Sequence, residues 1–109
     1  MTLSELCVTA YDMALSKGFW GSENQDPMRK LALVHSEVSE ALECLRDGHG
    51  PEDVWAGENG KPEGFGVELA DAVVRICDLA GRYNINLEGL VEAKMRFNAT
   101  RPMMHGKTA

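Results

Sequence analysis

Acidic residues recur three apart in two places along the chain, Glu37-Val38-Ser39-Glu40 and Glu68-Leu69-Ala70-Asp71. Residues at that spacing project from neighbouring positions one turn apart when the segment is helical. At about 100° per residue, Glu37 and Glu40 border the apolar stripe of Leu31, Val38 and Leu42. Glu68 and Asp71 border the face that begins at Ala72 and Leu79. Packed as an antiparallel pair, two such helices bring four carboxylates together at the edge of a core. Such a group repels itself unless cations lie between its members, and without them at least one member holds its proton more tightly than usual. Hard oxygen donors of this kind suit Mg²⁺, with Mn²⁺ as a second choice. Those ions bridge phosphates and activate water. Two other uses of the same acids stay open. They can form the solvated face of a non-enzymatic helical interaction module. They can also build a di-iron carboxylate bundle, which typically wants Glu-x-x-His; His35 precedes Glu37, and no histidine follows either pair at that spacing.

The elements that must position these acids are helices. The pattern predicts four, over about 3–17, 27–46, 67–83 and 87–99, in one all-α domain spanning 1–109. Thr2 and Glu5 make a capping box for the first, whose stripe is Leu3, Leu6, Cys7, Ala10, Met13 and Ala14, with Gly18 ending it. Asp26 caps the second, with Pro27 at its first position, and Gly48 stops it. Its expected core stripe is Leu31, Val34, Val38, Ala41, Leu42 and Leu45; the third helix offers Leu69, Ala72, Val73, Ile76, Leu79 and Ala80. Asn86 can cap the fourth, and Pro102 prevents its continuation. The Gly- and Pro-rich stretch 48–66 predicts a loop, with one helical turn after Pro51, and no strand signal stands out. A loop of that length in a small domain is usually functional or mobile.

Composition narrows the classes. With 11 Lys and Arg against 17 Asp and Glu the net charge is −6, which argues against a binder of duplex nucleic acid. No apolar run approaches the roughly 20 residues of a membrane span. The N-terminus does not look like a signal peptide. Cys7, Cys44 and Cys77 are odd in number and far apart, which suits buried reduced thiols and not a zinc site. A cytoplasmic protein without a membrane partner is expected. A helical domain of 109 residues buries a limited core alone, so a second copy is expected to help cover it.

The segment Leu33-Val34-His35-Ser36-Glu37-Val38-Ser39-Glu40-Ala41-Leu42-Glu43, followed by Val67-Glu68-Leu69-Ala70-Asp71-Ala72-Val73, resembles the signature of the MazG-like all-α nucleotide pyrophosphohydrolases. The ending Lys94-Met95-Arg96-Phe97-Asn98-Ala99-Thr100-Arg101-Pro102, with His105-Gly106-Lys107 after it, resembles their C-terminal pattern. The resemblance implies a four-helix protomer whose bundle is completed as a homodimer or homotetramer. It implies Mg²⁺-dependent cleavage of nucleoside or deoxynucleoside triphosphates to monophosphate and pyrophosphate. Carried over by motif, Glu37, Glu40, Glu68 and Asp71 hold the metal, and Glu37 or its neighbour Glu40 orients or deprotonates water. Lys94, Asn98, Arg101 and Lys107 reach the phosphates, in part from a neighbouring subunit. A phosphoribosyl nucleotide is an alternative substrate for the same fold. Arg75 stands where some relatives carry Tyr; it either binds phosphate or pairs with Asp71 or Asp78. Trp20 either stacks on the base or closes the end of the bundle, and Trp55 poses the same choice. His35 is expected to be packed or hydrogen-bonded, Asp78 to stand behind the ligands, and Glu43 to face solvent.

Overall fold

A computed structural model describes residues 1–21 and 25–106. Four helices carry it: α1 (Leu3–Ser16), α2 (Pro27–Arg46), α3 (Phe65–Arg82) and α4 (Leu87–Ala99). Each begins where a side chain or backbone group satisfies the free N–H groups of a first turn. Thr2 and Glu5 form a reciprocal capping box on α1. The Asp26 carboxylate accepts from Met28 N–H ahead of Pro27 on α2, and Asn86 accepts from Gly89 N–H on α4. The first three helices are followed by left-handed residues, Gly18, Gly48 and Asn84.

The stretch 48–66 is more ordered than a bare loop. Trp55–Ala56 (β1) and Pro62–Glu63 (β2) pair antiparallel, Trp55 opposite Glu63 and Ala56 opposite Pro62. The helical turn lies at the hairpin tip, Glu58–Gly60, and not directly after Pro51. Two-residue strands leave no alternation to read, and the pairing is closed instead by backbone bonds such as Gly57 N–H to the Lys61 carbonyl at 2.7 Å. Gly64 joins the hairpin to α3 at φ 146°, and any Cβ there would overlap the Asp53 carbonyl. Glycine is therefore required, and α3 starts at Phe65, two residues sooner than its apolar pattern suggests.

Helix α3 is central, with α1 and α2 packed on it, while α4 rests on α1. The α1–α3 contact is built from small residues, Cys7, Ala10, Cys77 and Ala80, flanked by Leu3, Leu6 and Leu87. The helices approach closely enough that a Cβ on Gly81 would lie 2.6 Å from Tyr11 Cβ and 2.7 Å from the Cys7 carbonyl oxygen. Burial pushes the Cys77 thiol up to about 11, with the Cys7 thiol beside it. Cys44 is only half-buried, in contrast to the expectation for all three thiols.

The α2–α3 contact corrects the expected core. The residues of α2 that are buried are Lys30, Glu37 and Ala41, whereas Leu31, Val38, Leu42 and Leu45 are exposed. On α3, Glu68 and Ala72 are buried while Leu69, Val73 and Ile76 are open. By helical geometry the open residues lie roughly 80–140° round each helix from Glu37 and Glu68. The helices run antiparallel, with Arg75 against Glu37, so both sets fall on one side of the pair. The polar edge turns inward, and α1 covers only the C-terminal end of the apolar face of α3, at Ala80 beside Cys77, leaving Leu69, Val73 and Ile76 open. The radius of gyration is 16.3 Å, against about 13 Å for a compact chain near this length.

Candidate metal centre

Turn spacing on α2 and the tight start of α3 bring three of the four predicted acids together. One carboxylate oxygen each from Glu37, Glu40 and Glu68 lies within 4.8 Å of the other two. Glu37 is 7% exposed and Glu68 6%, while Glu40 is open to solvent. Arg75, on α3, donates from Nε to Glu37 Oε1 at 2.8 Å. Among the described residues, Glu68 Oε2 is buried and has no hydrogen-bond partner.

Electrostatics divides the trio. Burial pushes Glu68 up to about 8, and hydrogen bonding and repulsion from Glu37 and Glu40 act in the same direction. Burial alone would raise Glu37 too, but the Arg75 guanidinium and the hydrogen bonds from Glu68 and Glu40 outweigh it and hold Glu37 below the usual range. Without a cation, a proton is therefore favoured on Glu68 over Glu37. An all-oxygen donor set with a buried, unpartnered oxygen is what a hard divalent cation takes. Asp71, the fourth predicted ligand, faces the same cavity, but its oxygens do not join the mutual cluster. Burial raises it, with the Glu37 charge adding to the shift.

A cavity of about 620 Å³ opens beside the acids. Its floor is α3, through Asp71, Val74, Arg75 and Asp78. Helix α1, through Leu6, Ala10 and Met13, and Phe19 three residues beyond its end supply an apolar wall. Helix α2 supplies a charged one, Lys30, Glu37 and Glu40, and Lys61 enters from the hairpin. A smaller hollow of about 310 Å³ lies on the other side of Glu40 and Glu68, lined also by Cys44, His49, Trp55, Lys61 and Glu63. There the His49 and Trp55 rings stack with centroids 4.0 Å apart, and Trp55 Nε1 donates to Glu63 Oε2 at 3.0 Å.

Other expectations are redistributed. Arg75 pairs with Glu37 and forms no ion pair with Asp71 or Asp78. Trp20 is buried, donates from Nε1 to Asp78 Oδ1 at 2.7 Å, and carries Lys30 and Arg82 cations over its ring. Tyr11 and Tyr83 meet it edge-on. It closes the bundle end and offers no open face to a base. Asp78 therefore holds Trp20 behind the acids, as its position suggested. His35 is exposed and outside the trio, because it lies on the opposite side of α2 from Glu37's contact with α3. Glu43 pairs with Arg46 at the surface. Lys94, Asn98 and Arg101 line neither cavity, since α4 follows α1 away from α2. Lys94 and Arg101 instead place their cations 5.3 and 5.7 Å from the Phe97 ring centroid. Lys107 falls outside the described residues.

The sequence did not single out Lys30, Phe19 or Lys61. For Lys61 a signal existed: a cation in the Gly-rich stretch, shortly before the second acidic pair. Compared with family models, curated proteins and solved structures, the chain matches none.

Proposed function

We propose that the chain is a divalent-cation-dependent hydrolase of phosphoanhydrides. More narrowly, we take it to be a MazG-like nucleoside triphosphate pyrophosphohydrolase that uses Mg²⁺. The observation that carries the proposal is the cluster of Glu37, Glu40 and Glu68 oxygens, with an unpartnered buried Glu68 oxygen, beside a cavity with room for a nucleotide. The resemblance of the two acidic motifs to that family supports the narrower form.

In this scheme Glu37, Glu40 and Glu68 hold the metal, with Asp71 reachable at the cavity edge. Bound Mg²⁺ supplies charge neutralisation and Lewis acidity at the phosphates. Arg75 fixes Glu37 and lowers its basicity, so Glu37 serves as an anchor. Glu40, exposed at the cavity, is the better placed to orient water and take its proton. Water attacks the α-phosphorus, the α–β bridging bond breaks, and pyrophosphate leaves with that electron pair. The apolar α1 wall receives the rest of the nucleotide. A second copy of the chain covers the open face of Leu31, Val38, Leu42, Leu69, Val73 and Ile76. Lys94, Asn98 and Arg101 then make their phosphate contacts across that assembly.

The test is a panel of triphosphates, with a phosphoribosyl nucleotide included, assayed with Mg²⁺. Monophosphate and pyrophosphate in equal amounts are expected, with nothing formed in chelator. Orthophosphate alone, or turnover indifferent to chelator, refutes the mechanism. No heat in calorimetry with Mg²⁺ and a nonhydrolysable triphosphate would return the chain to the class of interaction modules.

A further inference from the structure

Among the described residues three cations line the cavity beside the acids, Lys30, Arg75 and Lys61. Two are already engaged. The buried Lys30 ammonium donates to the Phe19 carbonyl and lies over the Trp20 ring, 4.6 Å from its centroid. Arg75 is bound to Glu37 at 2.8 Å. Lys61 is exposed and, among the described residues, its side chain has no hydrogen bond, ion pair or ring contact. Its backbone is nevertheless fixed: its N–H donates to the Glu58 carbonyl at 3.1 Å, and its carbonyl accepts from Gly57 N–H at 2.7 Å. The residue after it pairs with Ala56 in the hairpin, and Gly64 then seats the hairpin against Asp53. A free ammonium on a held backbone thus borders both hollows, the larger with Glu37, Glu40 and Asp71 and the smaller with Glu40 and Glu68.

From this placement we infer that Lys61 is the phosphate anchor that the protomer itself supplies, gripping the polyphosphate of the substrate class proposed above. The inference rests on that function but adds a residue that neither acidic motif nor the C-terminal pattern contains. An ammonium at the end of a four-carbon stem acts as a point charge that follows a phosphate without needing fixed geometry. Within the same cavity its charge acts on the Asp71 carboxylate. Divalent cations held by the acids would offset that attraction and leave the ammonium to phosphate oxygens. Lys61 contacts substrate and not metal, so its loss separates the two binding events.

The experiment uses the full chain, with Mg²⁺ alone and with Mg²⁺ plus inorganic tripolyphosphate, a probe that carries no base. Isothermal calorimetry is run on the wild type, Lys61→Ala and Lys61→Arg, with circular dichroism to verify folding. Lys61→Ala is expected to bind Mg²⁺ alone as the wild type does, or more tightly, and tripolyphosphate at least about tenfold more weakly, the usual size of a lost charge-assisted contact. The salt dependence of that binding becomes shallower. Lys61→Arg keeps the charge and recovers most of the affinity. Wild-type tripolyphosphate affinity in a folded Lys61→Ala, with Mg²⁺ binding intact, overturns the inference and leaves the proposed function standing. Failure of the wild type itself to bind Mg²⁺ and tripolyphosphate refutes the proposed function, and the role of Lys61 with it.

Discussion

Stripping divalent cations and raising the pH is expected to loosen the folded chain, and Glu68 is the reason. Its carboxyl keeps its proton to about 8, against an ordinary 4.5, because it is buried beside Glu37 and Glu40. Between those values the folded state binds the proton more tightly than the unfolded state does. Its contribution is therefore full below 4.5, is lost as the pH rises through the interval, and is flat above about 8. At 1.36 kcal/mol per unit the ceiling is about 5 kcal/mol. Its neighbour Glu37 is shifted the opposite way, so only part of that ceiling is felt. A third of it, about 1.5 kcal/mol, moves the melting midpoint of a domain this size by roughly 6–12 °C. Asp71 and Asp78 are also raised by burial, which acts with the same sign. The assay is thermal melting by circular dichroism in chelator from pH 5 to 9, on the wild type and on Glu68→Gln. The variant has no proton to lose there, so its slope flattens. Millimolar Mg²⁺ should restore the wild-type midpoint at pH 8 and release protons on binding below that pH. A wild-type midpoint that is constant or rises from pH 5 to 8 in chelator refutes the reasoning, as does an equal slope in Glu68→Gln.

Three further outcomes follow from the packing and the site. Gly81→Ala drives a methyl into Tyr11 and the Cys7 carbonyl and should cost about 1–3 kcal/mol in urea unfolding. Arg75→Ala leaves Glu37 buried without its partner; Mg²⁺ binding should then need a higher pH, seen as an upward shift in the pH midpoint of calorimetric titrations. Leu42→Arg combined with Val73→Arg places charges on the open apolar face, and sedimentation should report a smaller species than the wild type with the helical spectrum retained.

The helices were legible because their ends are written in local chemistry: Thr2 with Glu5, Asp26 before Pro27, Asn86, and the left-handed stops. Helical spacing also sufficed to bring Glu37, Glu40 and Glu68 to one place. What periodicity could not decide was which edge of α2 turns inward. Leu31, Val38 and Leu42 make the better stripe on paper, yet Lys30, Glu37 and Ala41 face α3. That choice is made by the pairing of Arg75 with Glu37 and by where α1 sits on α3, both of which join residues distant in the chain. The hairpin escaped for a different reason. Its strands are two residues each, and its pairing depends on Gly64 and on backbone bonds that leave little trace in side-chain type. Lys61 escaped with it, because its place beside the acids is set by the hairpin and not by its spacing from them in the sequence.

The way the hairpin is tethered also determines where the chain can change length. Its tip, Glu58–Gly60, points away from the base formed by Trp55 with Glu63 and Ala56 with Pro62. Residues added at the tip would lengthen a protrusion and leave the base undisturbed. A single residue inserted between Lys61 and Gly64 would break the seat of Gly64, and one inserted inside α3 before Glu68 would turn Glu68 by about 100° relative to the hairpin. Insertions and deletions that preserve the site should therefore collect at the tip, and the segment from Pro62 to Glu68 should keep its length.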